Sequence, residues 1–124
     1  EIPPEEAIRV ITRAGGLASL AHPGSPRRDD AVPALVRAGL HAIEAYHSDH
    51  DDRARNRYEA MASDAGLGVT GGSDYHGDAA GRVRRLGGAL LPAEHYEALL
   101  ERARAAGCAR VPQRIARRPG LSRT

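Results

Sequence analysis

Phenylalanine, tryptophan and lysine are missing from this 124-residue chain, and cysteine and methionine occur once each. With Tyr46, Tyr58, Tyr75 and Tyr96 as the only aromatics and alanine dominating the apolar residues, any core is thin. A lone Cys108 excludes a disulfide framework and favours a reducing cytoplasm. No stretch approaches the roughly 18 consecutive apolar residues of a membrane span, and none has the layout of a signal peptide, so the chain reads as cytoplasmic with no membrane partner. With lysine absent, all 18 basic residues are arginine, a usage that reads as the base composition of a GC-rich bacterial genome. The length fits one domain burying roughly two-thirds of its unfolded surface. The net charge of +2 conceals an asymmetry, because five arginines and no acid lie between Cys108 and Thr124. The expected organisation is a folded portion over 1–107 and a basic, solvated tail over 108–124, open to a contact with RNA.

Glycine and proline punctuate what remains. Pro3 and Pro4 precede Glu5, Glu6 and an apolar stripe at Ala7, Ile8, Ile11 and Ala14, with Gly15 and Gly16 as the stop, which predicts a helix. Ala18 to Ala21 reads as a buried strand ended by Pro23 and Gly24. Asp30 can cap a helix through Arg37 with Ala31, Leu35 and Ala38 inward. Ala42 to Tyr46 is a third apolar run. The helix after it, capped near Asp49 or Asp51, shows Ala54, Tyr58, Met61, Ala62 and Ala65 at helical spacing. Leu67 to Ser73 reads as a strand, and Pro92 opens a last helix with Tyr96, Leu99, Leu100 and Ala103 inward. Alternating strands and helices with short connections predict an α/β fold of consecutive βα units with parallel strands.

Ligand-type side chains gather at the ends of these strands. Thr70-Gly71-Gly72-Ser73-Asp74-Tyr75-His76-Gly77 sets a carboxylate and an imidazole two residues apart, and on an extended strand both face one side, roughly 6 to 7 Å apart. His22 closes another strand. In α/β folds the active site lies at these C-terminal strand ends. Glu44 and His47 are three apart, so on a regular strand they face opposite sides unless the backbone turns at Tyr46. Glu44 then reads as a carboxylate that orients a ligand or is paired, and His47 with Ser48 as donors to a phosphoryl oxygen. His50 reads as part of the first turn of the helix that follows, and His41 and His95 as structural or solvated. Arg27, Arg28, Arg82, Arg84 and Arg85 sit in loops flanking the site, where a guanidinium fork suits a phosphate. No nucleophile elbow, P-loop or dinucleotide fingerprint is present.

With Ala21-His22-Pro23-Gly24, then Gly39 to Ser48 (GLHAIEAYHS), then Gly71-Gly72-Ser73-Asp74-Tyr75-His76-Gly77 in that order, the chain resembles the C-terminal part of PHP-domain (polymerase and histidinol phosphatase) metal-dependent phosphoesterases. Within them it is most similar to the bacterial enzymes that act on nucleoside 3′,5′-bisphosphates and on short RNA from the 5′ end. The resemblance implies a distorted (β/α)7 barrel and a multinuclear site of roughly two or three divalent ions, commonly Mn, alternatively Fe, Zn or Mg. It implies His22, Asp74 and His76 as metal ligands and His47 near the phosphate, with a metal-activated water in place of a catalytic side chain. The family's opening H-x-H motif has no counterpart here. The expected partners are therefore a small phosphorylated substrate, nucleotide or short RNA, and a missing N-terminal half of the same barrel, without which the chain is expected to be inactive. Histidinol-phosphatase-like or polymerase-associated chemistry, C–N bond hydrolysis on a related amidohydrolase-type barrel, and a non-catalytic nucleic-acid-binding role are the alternatives.

Overall fold

The computed structural model describes residues 1–77 and 85–112. The alternation expected from the sequence is present. Three parallel strands, β1 (Ser19–Leu20), β2 (Ala42–His47) and β3 (Gly68–Gly72), stand in the order β1-β2-β3, so each pairs with its sequence neighbour. Parallel neighbours need a crossover. The first is a short 3-10 turn, Asp29–Ala31, running into α2 (Val32–Arg37), and the second is α3 (Asp52–Asp64). α1 (Pro4–Arg13) precedes β1, and α4 (Ala93–Ala105) follows β3 and packs on it.

Register separates the two faces of the sheet. Ser19 lies opposite Ala42, and Glu44 opposite Thr70. Since residues two apart share a face, Ser19, Ala42, Glu44 and Thr70 line one side. That side is small and polar, and the hydroxyls of Ser19 and Thr70 hydrogen-bond at 2.7 Å. The opposite side carries Ile43, Ala45 and Val69, which join Tyr58 and Ala62 of α3 in the core. Ile43 is 0% exposed, so truncating it removes contacts on all sides.

Several local readings are corrected. The inner stripe expected for α1 includes Ile11, but Ile8 is its one buried residue and Ile11 is exposed with Val10, because among the strands and helices α1 packs mainly on α2. Asp30 does not cap α2, whose N-cap position carries no side-chain hydrogen bond. Neighbouring Asp29 accepts from Tyr58 Oη at 2.7 Å and from Arg27 Nε at 3.1 Å, and pairs with Arg57. Tyr96 is exposed and not inward; the buried residue of α4 is Leu100, and Leu99 lies against Gly68 of β3. Asp51 does cap α3, its Oδ1 accepting from Ala54 N at 2.8 Å. No helix among the described residues is long and apolar enough to cross a membrane. Most of the basic tail, 113–124, lies outside the described residues, as do Arg82 and Arg84.

Candidate metal and phosphate site

On a regular strand Glu44 and His47 would face opposite sides, but the strand departs from regularity at Tyr46, the one exception the sequence reading allowed. Glu44 pairs with Thr70, but the next partner, Gly71, is taken by Tyr46, so β2 carries one extra residue at this bulge. A bulge places two successive residues on the same side and restores alternation one step late. Ala45 and Tyr46 therefore both belong to the helix side, where Tyr46 Oη donates to Glu59 of α3. Glu44 and His47 both belong to the polar side. Glu44 Oε2 accepts from the backbone N–H of His22 at 2.8 Å. The rings of His22 and His47 meet edge-on with centroids 5.4 Å apart.

β3 ends at Gly72, two residues before Asp74, so strand alternation does not place Asp74 and His76 as expected. A turn does. Asp74 has φ +54°, and His22 at the end of the first strand has φ +30°. Both are sparsely populated conformations for residues with a Cβ, and such strain clusters at functional sites. In the turn at Asp74, His76 Nδ1 lies 2.7 Å from the carbonyl of Asp74 and 3.4 Å from Asp74 Oδ1. A carbonyl can only accept, so Nδ1 carries a proton; in the neutral ring Nε2 then keeps its lone pair, the arrangement used by imidazole ligands of metals.

His47 is only 3% exposed. Its Nδ1 accepts from the backbone N–H of Asp49 at 3.0 Å, so the neutral ring carries its proton on Nε2. That Nε2 is buried with no hydrogen-bond partner among the described residues, although Asp74 Oδ2 stands 3.3 Å away. An unmade hydrogen bond at a buried donor costs about 1 to 3 kcal/mol. His47 is thus a donor facing the cluster rather than a free lone pair.

The strand exits are tied to one another. Ser48 Oγ donates to the carbonyl of Ser73 at 2.8 Å, joining the ends of β2 and β3. His50, expected in the first turn of α3, instead precedes it, and its ring bonds to Ala45 O and Gly24 N and stacks on Tyr58. His41 accepts from Ala18 N, and His95 approaches Glu59, so both are structural. Beside His22 opens a groove of about 650 Å³ bordered by Leu20, Arg28 and the start of α1. Among the described residues, no three His, Cys, Asp or Glu side chains converge closely enough to hold one ion. The donor chemistry of His22, Asp74 and His76 suits a divalent cation, but a complete shell needs further ligands.

No family model matches the chain. It is 46% identical over 82 residues to a phosphoribosyl 1,2-cyclic phosphate 1,2-diphosphodiesterase of Eggerthella lenta, an alignment covering 66% of this chain and 31% of that protein. Its fold matches a Bifidobacterium adolescentis protein described as a metal-dependent phosphoesterase, with TM-score 0.68 and 32% identity over 82% of this chain and 38% of the other. The chain spans about a third of the length of each. Both similar proteins are described as phosphate-ester hydrolases, which is consistent with the PHP phosphoesterase resemblance carried by the A-H-P and D-x-H motifs.

Proposed function

We propose that this chain supplies one side of the active site of a divalent-metal-dependent phosphoesterase acting on a small ribose phosphate ester. The observation that carries the reading is His47 Nε2, a buried donor without a hydrogen-bond partner among the described residues, beside His22 and 3.3 Å from Asp74. A phosphoryl oxygen in that position would accept its proton and remove the desolvation cost. His22, Asp74 and His76 are the residues that would hold metal, Mn before Fe, Zn or Mg. Bound divalent ions supply charge neutralisation for the phosphate and lower the pKa of water. Glu44 holds the backbone of His22, and Ser48 holds the turn before Asp74, so the two strand exits keep a fixed separation.

Remaining ligands would come from another part of a distorted (β/α)7 barrel. β1 pairs only with β2 among the described residues, which leaves its other edge for a further strand, and the polar face of Ser19, Glu44 and Thr70 would turn toward the barrel interior. The 124-residue chain alone would then be inactive. The relative's cyclic ribose phosphate and a nucleoside 3′,5′-bisphosphate share an ester on ribose, so both are suitable test substrates. In the complete protein, phosphorus NMR should show Mn-dependent hydrolysis of at least one of them. His47→Ala should lower kcat by about 100-fold or more, the cost of losing one preorganised donor, while metal content stays unchanged. Turnover that survives chelation, or an unaffected His47→Ala variant, would overturn the proposal.

A further inference from the structure

The bulge in β2 leaves a carbonyl, Ala45 O, at the point where the ladder skips. His50 Nδ1 lies 2.9 Å from it. The same ring's Nε2 lies 3.2 Å from the backbone N–H of Gly24, two residues after His22. A backbone N–H can only donate, so Nε2 must be the bare nitrogen and Nδ1 the protonated one, and the carbonyl of Ala45 completes the pattern as acceptor. One neutral imidazole in one tautomer therefore joins the bulge that brings Glu44 and His47 onto a common face to the turn that carries His22. The ring is held in plane by stacking on Tyr58, centroids 5.1 Å apart and 29° between planes, and Tyr58 is itself anchored through its hydroxyl to Asp29. The fit is close. A Cβ on Gly24 would lie 2.8 Å from His50 Nε2, so only glycine lets the backbone approach the ring this nearly.

We infer that His50 is a positioning residue. Locked as the Nδ1–H tautomer between Ala45 O and Gly24 N–H, it sets the separation between the His22 turn and the Glu44/His47 face, and it touches neither metal nor substrate. The inference rests on the metal reading above for its effect on affinity, but the tautomer stands apart from it. Outer partners that orient ligands typically contribute about 10- to 100-fold in metal affinity.

Two measurements on the complete protein test it. Nitrogen-15 NMR of the wild type should show His50 protonated on Nδ1 and bare on Nε2; a ring protonated on Nε2 would overturn the inference whatever the metal results. Mn titration should show His50→Phe, which keeps the stack on Tyr58 and loses both hydrogen bonds, weakened at least about tenfold. His50→Gln, whose amide can donate and accept at the same two points, should recover most of that loss. Equal Mn affinity for wild type and His50→Phe, or no recovery by Gln over Phe, would overturn the positioning role. Absence of Mn uptake by the wild type would overturn the metal reading alone, and the tautomer would then decide the case for His50.

Discussion

Adjacent glycines at the end of β3 should respond oppositely to the same substitution. A Cβ built on Gly71 lies 2.6 Å from Tyr46 Cβ and 3.0 Å from Tyr46 O, on the bulged stretch of β2. Neither atom can swing away, because one is backbone and the other is attached directly to it. Forcing a methyl group into such a contact costs about 1 to 3 kcal/mol. Against this, replacing glycine lowers the entropy of the unfolded chain and returns about 0.4 to 1 kcal/mol. The repulsion wins, leaving Gly71→Ala destabilised by about 1 to 2 kcal/mol, or about 3 to 10 °C in Tm for a domain near this size. At Gly72 the nearest atom to a Cβ is Glu44 Oε1 at 3.5 Å, an ordinary contact. Gly72→Ala should therefore be neutral or raise stability slightly, by no more than about 1 kcal/mol. Thermal and urea unfolding followed by circular dichroism would compare the two. Equal stability of Gly71→Ala and wild type, or equal loss in both variants, would refute the close approach of β2 and β3 at the bulge.

Asp51→Ala, which removes the cap on the Ala54 N–H, should lower stability by about 1 kcal/mol in a urea titration. Burial, and then the hydrogen bonds they donate to Glu59 and Asp29, push Tyr46 and Tyr58 up to about 12. Because each folded pKa is raised above the ordinary value of about 10, their stabilising contribution is complete below pH 10 and is lost as pH climbs from about 10 to 12. An ultraviolet titration of the folded protein should accordingly show two tyrosines ionising late, with unfolding beginning in that window. Truncation after Gly107 should leave turnover of a mononucleotide-sized substrate nearly unchanged; if the arginine tail instead engages RNA, affinity will fall steeply with salt and the slope will flatten when the arginines are removed.

Much of this architecture was legible in the sequence because the punctuation was local. Asp51 and Gly66 bracket α3, so its bounds followed from residues a few positions apart, whereas the first strand was read as a buried run from Ala18 to Ala21 and is only Ser19–Leu20, with Ser19 exposed. The strand ends were less legible. Nothing in Ala45-Tyr46 marks a bulge, since it arises from the pairing of two distant segments, and without it Glu44 and His47 fall on opposite faces. Asp74 and His76 were read as a strand pair, whereas β3 stops at Gly72 and a positive φ at Asp74 does the turning. His50 gave little local signal either, because its partner Gly24 is 26 residues away and the carbonyl of Ala45, five residues back, is turned toward it only at the bulge. Val10, Leu86 and Leu90 carry apolar side chains at exposed positions, which no helical or strand period in the chain anticipates.

The central proposal is that Asp74, His22 and His76 each contribute to divalent-cation binding in the complete protein, together with ligands from outside the described residues. Asparagine keeps the shape of Asp74 and tolerates a φ of +54°, so Asp74→Asn removes charge with little disturbance of the backbone. Mn binding to the complete protein, measured by calorimetry or electron paramagnetic resonance beside a melting curve, should fall by about 100-fold in Asp74→Asn, about 2.7 kcal/mol, with Tm within a few degrees of wild type. Unchanged stoichiometry and affinity in the folded variant would contradict the account.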